Sequence, residues 1–244
     1  VSPQPGYPSL EGRTALVTGA SSGIGRATSA MLVSAGAWVG MIARRPEMLA
    51  EAALEAGGHA ISADISQPTG VHHLTEYVSD HLDGASVDIV INAAGAFSLA
   101  PIAETDPAEF EAQIAANLTG SFLVMRAFLP PMLAAGRGFI VNIGSIAGRT
   151  ALPGNGAYGA SKFGLRGLHD VLLQEIAGTG VRATLVEPAA TDTPLWDPLD
   201  PDSRPDLPSR SSMLRPEDVA DAVLWSVTRP QHVQIPHLAV HPAG

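Results

Sequence analysis

The sequence contains no cysteine. A disulfide framework, a zinc–thiolate site and a thiol nucleophile are therefore excluded. A thiol-free chain fits a reducing compartment, and the expectation is a cytoplasmic protein. Charge is also scarce. Charged residues make up 16% of the chain, below the usual share of about 25%. What charge there is leans acidic: 14 Lys and Arg face 24 Asp and Glu, for a formal net charge of −10. That balance argues against nucleic acid as a partner, because phosphate binding needs a basic surface. It also lacks the basic face of a membrane-surface helix. The longest stretch free of Asp, Glu, Lys and Arg is the 17 residues between Arg26 and Arg44. It contains Ser34, Gly36 and Gly40, so it reads as helix, turn and strand, not a membrane span. Residues 1–12 are rich in Pro and Gly and lack an apolar signal-peptide core; they read as a loose N-terminal arm.

Apolar residues make up 45% of the 244, enough for a full core. One count among the basic residues is informative. Thirteen of the 14 are Arg, and Lys162 is the only lysine. Lysine is a compact point charge, whereas arginine is larger, planar and effectively never loses its proton. A single lysine points to a position where arginine does not serve.

Short apolar runs alternate with helical patterns. Strand-like runs lie at 13–18, 37–42, 59–63, 87–92, 139–143, 181–186 and 235–240. Helical patterns lie at 23–35, 46–56, 68–82, 106–134 (interrupted by Pro130-Pro131), 156–177 and 216–228. Strands apolar throughout are buried on both faces. Joined by helices, they predict one doubly wound α/β domain over 13–244: a Rossmann fold with about seven parallel strands and helices on both faces. Its ligand site falls at the carboxyl ends of the strands. The segment 189–215, flanked and punctuated by prolines, reads as a substrate loop or lid.

After the first strand comes Thr18-Gly19-Ala20-Ser21-Ser22-Gly23-Ile24-Gly25, then a helix. Glycines allow a tight turn and let backbone N–H groups approach a pyrophosphate at the helix N-terminus. The second strand ends at Arg44-Arg45, where this fold faces the adenosine ribose. An acidic residue there would accept the 2′-hydroxyl of NAD; two arginines suit a 2′-phosphate. The expected cofactor is NADP(H) in preference to NAD(H).

Tyr158-Gly159-Ala160-Ser161-Lys162 places a phenol and an ammonium at i and i+4, on one helix face. Ser145 lies 13 residues earlier. Free tyrosine titrates near ~10. An ammonium ~4 Å from a phenolate, at an effective dielectric of ~20, contributes about 4 kcal/mol, or ~3 pK units. Lys162 is accordingly expected to depress Tyr158.

With these motifs the chain resembles the short-chain dehydrogenase/reductase family over residues 10–244. Asn117 in Asn117-Leu118-Thr119-Gly120 matches the family's helix asparagine. Asn92-Ala93-Ala94-Gly95 is similar to its Asn-Asn-Ala-Gly, with Ala93 in place of the second Asn. The resemblance implies hydride transfer between a nicotinamide and a carbonyl or secondary alcohol. Tyr158 would exchange the proton, Ser145 bind the substrate oxygen, Lys162 hold the nicotinamide ribose, and Asn117 position a water in a proton relay. Gly19, Ser21, Ser22, Gly23, Ile24, Gly25, Arg44, Arg45, Asp64, Ile65 and residues 92–95 would line the cofactor, with Asp64 at the adenine. Pro188, Ala189, Thr191 and Thr193 would hold its carboxamide end, with Ala189 standing where the family usually has Gly. It further implies a homo-oligomer, tetramer or dimer, through helices 106–134 and 156–177.

The substrate wall is expected from Phe97, Leu99, Leu152, Asn155, Leu195, Trp196, Leu199 and Met213, mostly apolar. Arg149, Arg204 or Arg210 could supply a carboxylate fork from a loop. His72-His73 read as a solvated face, the aspartates of 197–206 as surface, and Trp225 as core or subunit contact; no metal site is expected. Two other classes compete. A non-catalytic dinucleotide-binding sensor on this fold usually lacks the Tyr/Lys pair. An epimerase, dehydratase or enoyl reductase differs in glycine spacing, in chain length or in its Tyr-to-Lys interval.

Overall fold

The computed structural model describes residues 7–82 and 86–243. Seven strands alternate with helices: β1 (Thr14–Thr18), α1 (Gly23–Ser34), β2 (Trp38–Ala43), α2 (Pro46–Ala56), β3 (His59–Ser62), α3 (Pro68–His81) and β4 (Ile89–Asn92). The second half holds α4 (Pro107–Ile114), α5 (Gly120–Ala135), β5 (Gly138–Ile143), α6 (Gly156–Glu175), β6 (Val181–Pro188), α7 (Pro216–Val227) and β7 (His237–Val240). They form one sheet in the order β3-β2-β1-β4-β5-β6-β7, with every pairing parallel. This is the doubly wound Rossmann fold read from the alternating pattern. The chain winds outward from β1 to β3, then restarts on the other side of β1 with β4. The switch point opens a crevice between the carboxyl ends of β1 and β4, where Thr18 and Asn92 stand in register.

The apolar strands bury both faces, as their composition requires. On one face Val17, Met41 and Ile91 pack with Leu32 of α1, Leu49 of α2 and Val223 and Leu224 of α7. On the other, Leu16, Val90 and Ile140 pack with Leu74 of α3, Val124 and Phe128 of α5 and Leu172 of α6. Each such side chain stabilises the fold by about 1.5–3 kcal/mol relative to exposure.

Two local expectations are corrected. Pro130-Pro131 do not interrupt the helix; both lie inside α5, which runs on to Ala135 and ends at Gly136 in the left-handed region (φ 63°). Each proline removes one helical N–H, but both are exposed, and Met132 behind them is buried in the core. The break falls earlier, at a π-helical turn over Ala115–Thr119 that contains Asn117. Such turns widen a helix locally. The described part of the N-terminal arm is fastened, not loose. Leu10 is buried and donates its N–H to Ala35 (2.7 Å), and the Tyr7 hydroxyl donates to Asp221 of α7 (2.8 Å). Residues 1–6 lie outside the described residues.

Pro107–Ala135 is one described helix long and apolar enough to cross a membrane, by length and composition only. Here it forms a layer of the domain, packing on β4, β5 and α3.

Candidate active site

A cleft of about 400 Å³ opens at the switch point. It is lined by Gly19, Ser21, Ser22, Gly23, Ile24 and Gly25, by Arg44 and Arg45, by Asp64 and Ile65, and by Ala93, Ala94, Gly95 and Thr193, together with Phe97, Ala116 and Leu195. Fourteen of the residues expected to contact cofactor therefore share one wall. Asn92, Pro188, Ala189 and Thr191 do not line it; they build its frame. Ala189 donates its N–H to Val240 (2.9 Å), and Thr191 bridges to Leu214.

The glycines are required by space. Gly19 has φ 67°, and a Cβ there would lie 2.7 Å from the Ala94 Cα. A Cβ on Gly25 would lie 2.4 Å from the Gly19 carbonyl oxygen. The turn brings the amino end of α1 to the cleft, and Ser22 caps it without a side-chain hydrogen bond, with no acidic residue in the first turn. Its first N–H groups are therefore open to an anion. Thr18, which was not singled out from the sequence, fastens the opposite lip. Its hydroxyl oxygen accepts from the N–H groups of Ala93 and Ala94 (3.1 Å each). A threonine closing the first strand was the available signal. Asp64 is held by Ser66, whose N–H and hydroxyl both donate to Oδ1 (3.0 and 2.7 Å). Cradle, open helix end and exposed arginines together fit a dinucleotide.

Ser145, Tyr158 and Lys162 do not line this cleft; Phe97, which does, packs edge to face on Tyr158 (4.8 Å) and joins the two. Ser145 follows β5, Tyr158 and Lys162 lie four residues apart on α6, and Ser145 stands beside the Tyr158 hydroxyl, where it favours ionisation. Ser145 is oriented in turn by the Ala147 N–H, which donates to Oγ (3.1 Å). Lys162 is buried and donates from Nζ to the Ile143 carbonyl (2.9 Å), 5.6 Å from the Tyr158 ring centroid.

Here the electrostatic expectation is reversed. Desolvation pushes Tyr158 up to about 12, against the opposing pull of the neighbouring Ser145. Lys162 is itself brought down to about 8 by burial. The ammonium is held on a backbone carbonyl instead of on the phenolic oxygen, and burial disfavours a phenolate more than that cation favours it. Tyr158 is therefore a phenol at neutral pH, a proton donor.

Asn117 sits at the loop after β4. Its Nδ2 donates to the Ala96 carbonyl and to Ser161 Oγ (2.9 Å each), and its Oδ1 accepts from the Ala96 N–H (2.7 Å). Both amide hydrogens are engaged, so the side chain braces that loop. Through Ser161, which donates to the Tyr158 carbonyl (2.7 Å), it also steadies the first turn of α6.

Behind the loop runs a buried polar chain that no sequence motif signals. His169 is fully buried. Its Nε2 faces the Pro236 carbonyl (3.0 Å), so Nε2 carries the hydrogen and Nδ1 accepts from Asn142 Nδ2 (3.1 Å). Asn142 Oδ1 then accepts from Asn92 Nδ2 (2.8 Å), which leaves Asn92 Oδ1 without a partner. Desolvation brings His169 down to about 4, so it is neutral near pH 7.

The short chain dehydrogenase family matches residues 13–204. An uncharacterized oxidoreductase of Staphylococcus epidermidis is 32% identical over 232 residues, covering 94% of this chain and 97% of that one. Among solved structures, serine dehydrogenase from Escherichia coli superposes with a TM-score of 0.81 at 30% identity, over 93% of this chain and 96% of that one. A closed form of serine dehydrogenase complexed with NADP+ gives a TM-score of 0.83 at 30% identity, over 93% and 94%. The chain belongs to the short-chain dehydrogenase family. It is an oxidoreductase of that family, which binds a nicotinamide dinucleotide and acts on a small molecule.

Proposed function

We propose that the protein is an NADP(H)-dependent oxidoreductase interconverting a carbonyl compound and a secondary alcohol. The observation that carries this reading is the Tyr158 phenol beside Ser145, joined through Phe97 to a cleft that fits a dinucleotide, with Lys162 buried behind it. A bound nicotinamide supplies or accepts the hydride. Ser145 Oγ and Tyr158 Oη hold the substrate oxygen from two sides, and in reduction Tyr158 gives that oxygen its proton as the carbon becomes a carbinol. A sensor has no use for such a pair.

Preference for NADP(H) rests on Arg44 and Arg45. Both are exposed and line the cleft at the end of β2. Among the described residues neither forms an ion pair with a carboxylate, so both guanidinium groups are open to a 2′-phosphate. Titration with NADPH and NADH tests this. Arg44→Ala is expected to weaken NADPH binding by about 10–100-fold, the loss of one charge-assisted contact, and to leave NADH unchanged. Equal effects on both coenzymes, or tighter NADH binding by the unaltered protein, would contradict the assignment.

Two further parts of the reading have their own support. A homo-oligomer through α4, α5 and α6 is favoured by the exposed Phe110, Phe122, Phe163 and Val171 on those helices. A cytoplasmic setting is favoured by the thiol-free composition.

A further inference from the structure

We infer that the substrate is an uncharged carbonyl compound with a flat aromatic group, seated against Phe97 and Trp196, and that carboxylate-bearing analogues are rejected. The inference deepens the oxidoreductase reading and rests on it for the position of the reacting oxygen.

Three rings form a ladder that ends on the proton donor. Phe97 meets Tyr158 edge to face (4.8 Å, 68°), and Trp196 meets Phe97 in the same way (4.9 Å, 65°). Phe97 and Trp196 are both only half-buried. Ring edges and faces set at these angles accept a further ring in offset or edge-to-face contact. Leu195, beside Trp196, is exposed and lines the cleft with Phe97, so the neighbouring wall is apolar too.

The wall is held in place. Arg210 forks onto Asp192 (2.5 Å) and Asp197 (2.7 Å), which closes the turn that carries Trp196. The Trp196 N–H donates to the Thr193 carbonyl (3.0 Å). This backbone bond fixes the main chain at Trp196 relative to Thr193, which lines the cofactor cleft.

Within 189–215 each arginine is matched by a carboxylate among the described residues: Arg204, Arg210 and Arg215. Arg210 holds its two aspartates, Arg204 pairs with Asp206 (2.6 Å), and Arg149 reaches His241 (3.2 Å). Lys162 lies behind Tyr158 on a backbone carbonyl. Residues 189–215 carry five aspartates against three arginines, so the covering segment is itself net acidic. A carboxylate placed here loses water without gaining a partner.

A matched pair of aryl ketones tests this: methyl 4-acetylbenzoate, and 4-acetylbenzoate, which differs by one negative charge. Turnover with NADPH is read by absorbance, and binding to coenzyme-saturated protein by calorimetry. The ester is expected to exceed the acid by about 100-fold in kcat/KM and to bind more tightly by a similar factor. Trp196→Ala is expected to raise KM for the ester about 10-fold, and Trp196→Phe to restore most of the loss. Equal or better use of the acid, or failure of both ketones to bind, would overturn the inference. Binding discrimination without turnover of any carbonyl supports this pocket and removes the oxidoreductase reading. Turnover with the acid preferred does the reverse.

Discussion

Tyr158→Phe is expected to lower kcat for carbonyl reduction by about 10²–10⁴-fold, the usual contribution of a positioned proton donor. Dissociation constants for NADPH are expected to stay within about threefold of the unaltered protein. The substitution deletes only the hydroxyl. The ring that packs on Phe97 at 4.8 Å remains, as do the glycine turn and the arginines at the far end of the cleft. Stability is expected to fall by no more than about 0.5–1.5 kcal/mol, the worth of one hydroxyl hydrogen bond. Steady-state kinetics with a parallel coenzyme titration separates the two quantities. A kcat within threefold of the unaltered enzyme would remove Tyr158 as the proton donor. Because Tyr158 is pushed up to about 12, its own ionisation is not expected to limit reduction between pH 6 and 9.

The second large effect is on stability in acid. His169 has a folded value of about 4, against 6.5 for an unperturbed imidazole. Between those values the unfolded chain takes up a proton that the folded chain refuses. Stability is therefore fully present above about pH 6.5, falls as the pH drops from 6.5 to 4, and is flat in this contribution below 4. The full loss is about 3 kcal/mol. Protonation also puts a donor on Nδ1, against the Asn142 Nδ2 that now donates to it. His169→Gln, whose amide can donate to the Pro236 carbonyl and accept from Asn142, is expected to flatten this part of the profile. Urea unfolding at intervals from pH 7.5 to 4 reads the difference. Parallel profiles for the two proteins would contradict the buried neutral imidazole.

The difference between these two residues shows how far the sequence could be read. Tyr158 and Lys162 announce themselves because their geometry is local: i and i+4 on a helix meet on one face wherever the helix packs. Gly19, Gly23 and Gly25 do so because a tight strand-to-helix turn excludes Cβ atoms. The parallel sheet with helices on both faces followed from unbroken apolar runs and helical crossovers. His169 carries no such mark. Its partners come from β5 and from the segment before β7, more than 25 residues away on either side, and a histidine on a helix has no spacing that predicts them. The same reason explains the misjudged electrostatics of Lys162. The spacing placed it near Tyr158, but burial dominates both proton affinities, and Nζ is held on the Ile143 carbonyl. The bracing bonds of Asn117 were not legible, since its partner at Ala96 lies across the loop. The proline-rich segment was legible as an excursion, while the Arg210 fork that shapes it joins aspartates 18 and 13 residues away.

Hydride transfer is the central claim, and isotopic labelling tests it most directly. The protein is incubated with NADPH deuterated at C4 of the nicotinamide, each epimer in turn, and methyl 4-acetylbenzoate. Deuterium at the carbinol carbon of the product, from one epimer only and in step with NADPH oxidation, is the predicted result. NADPH bound tightly but returned unoxidised, with this and every other carbonyl offered, would contradict it and leave a dinucleotide-binding protein without the reaction.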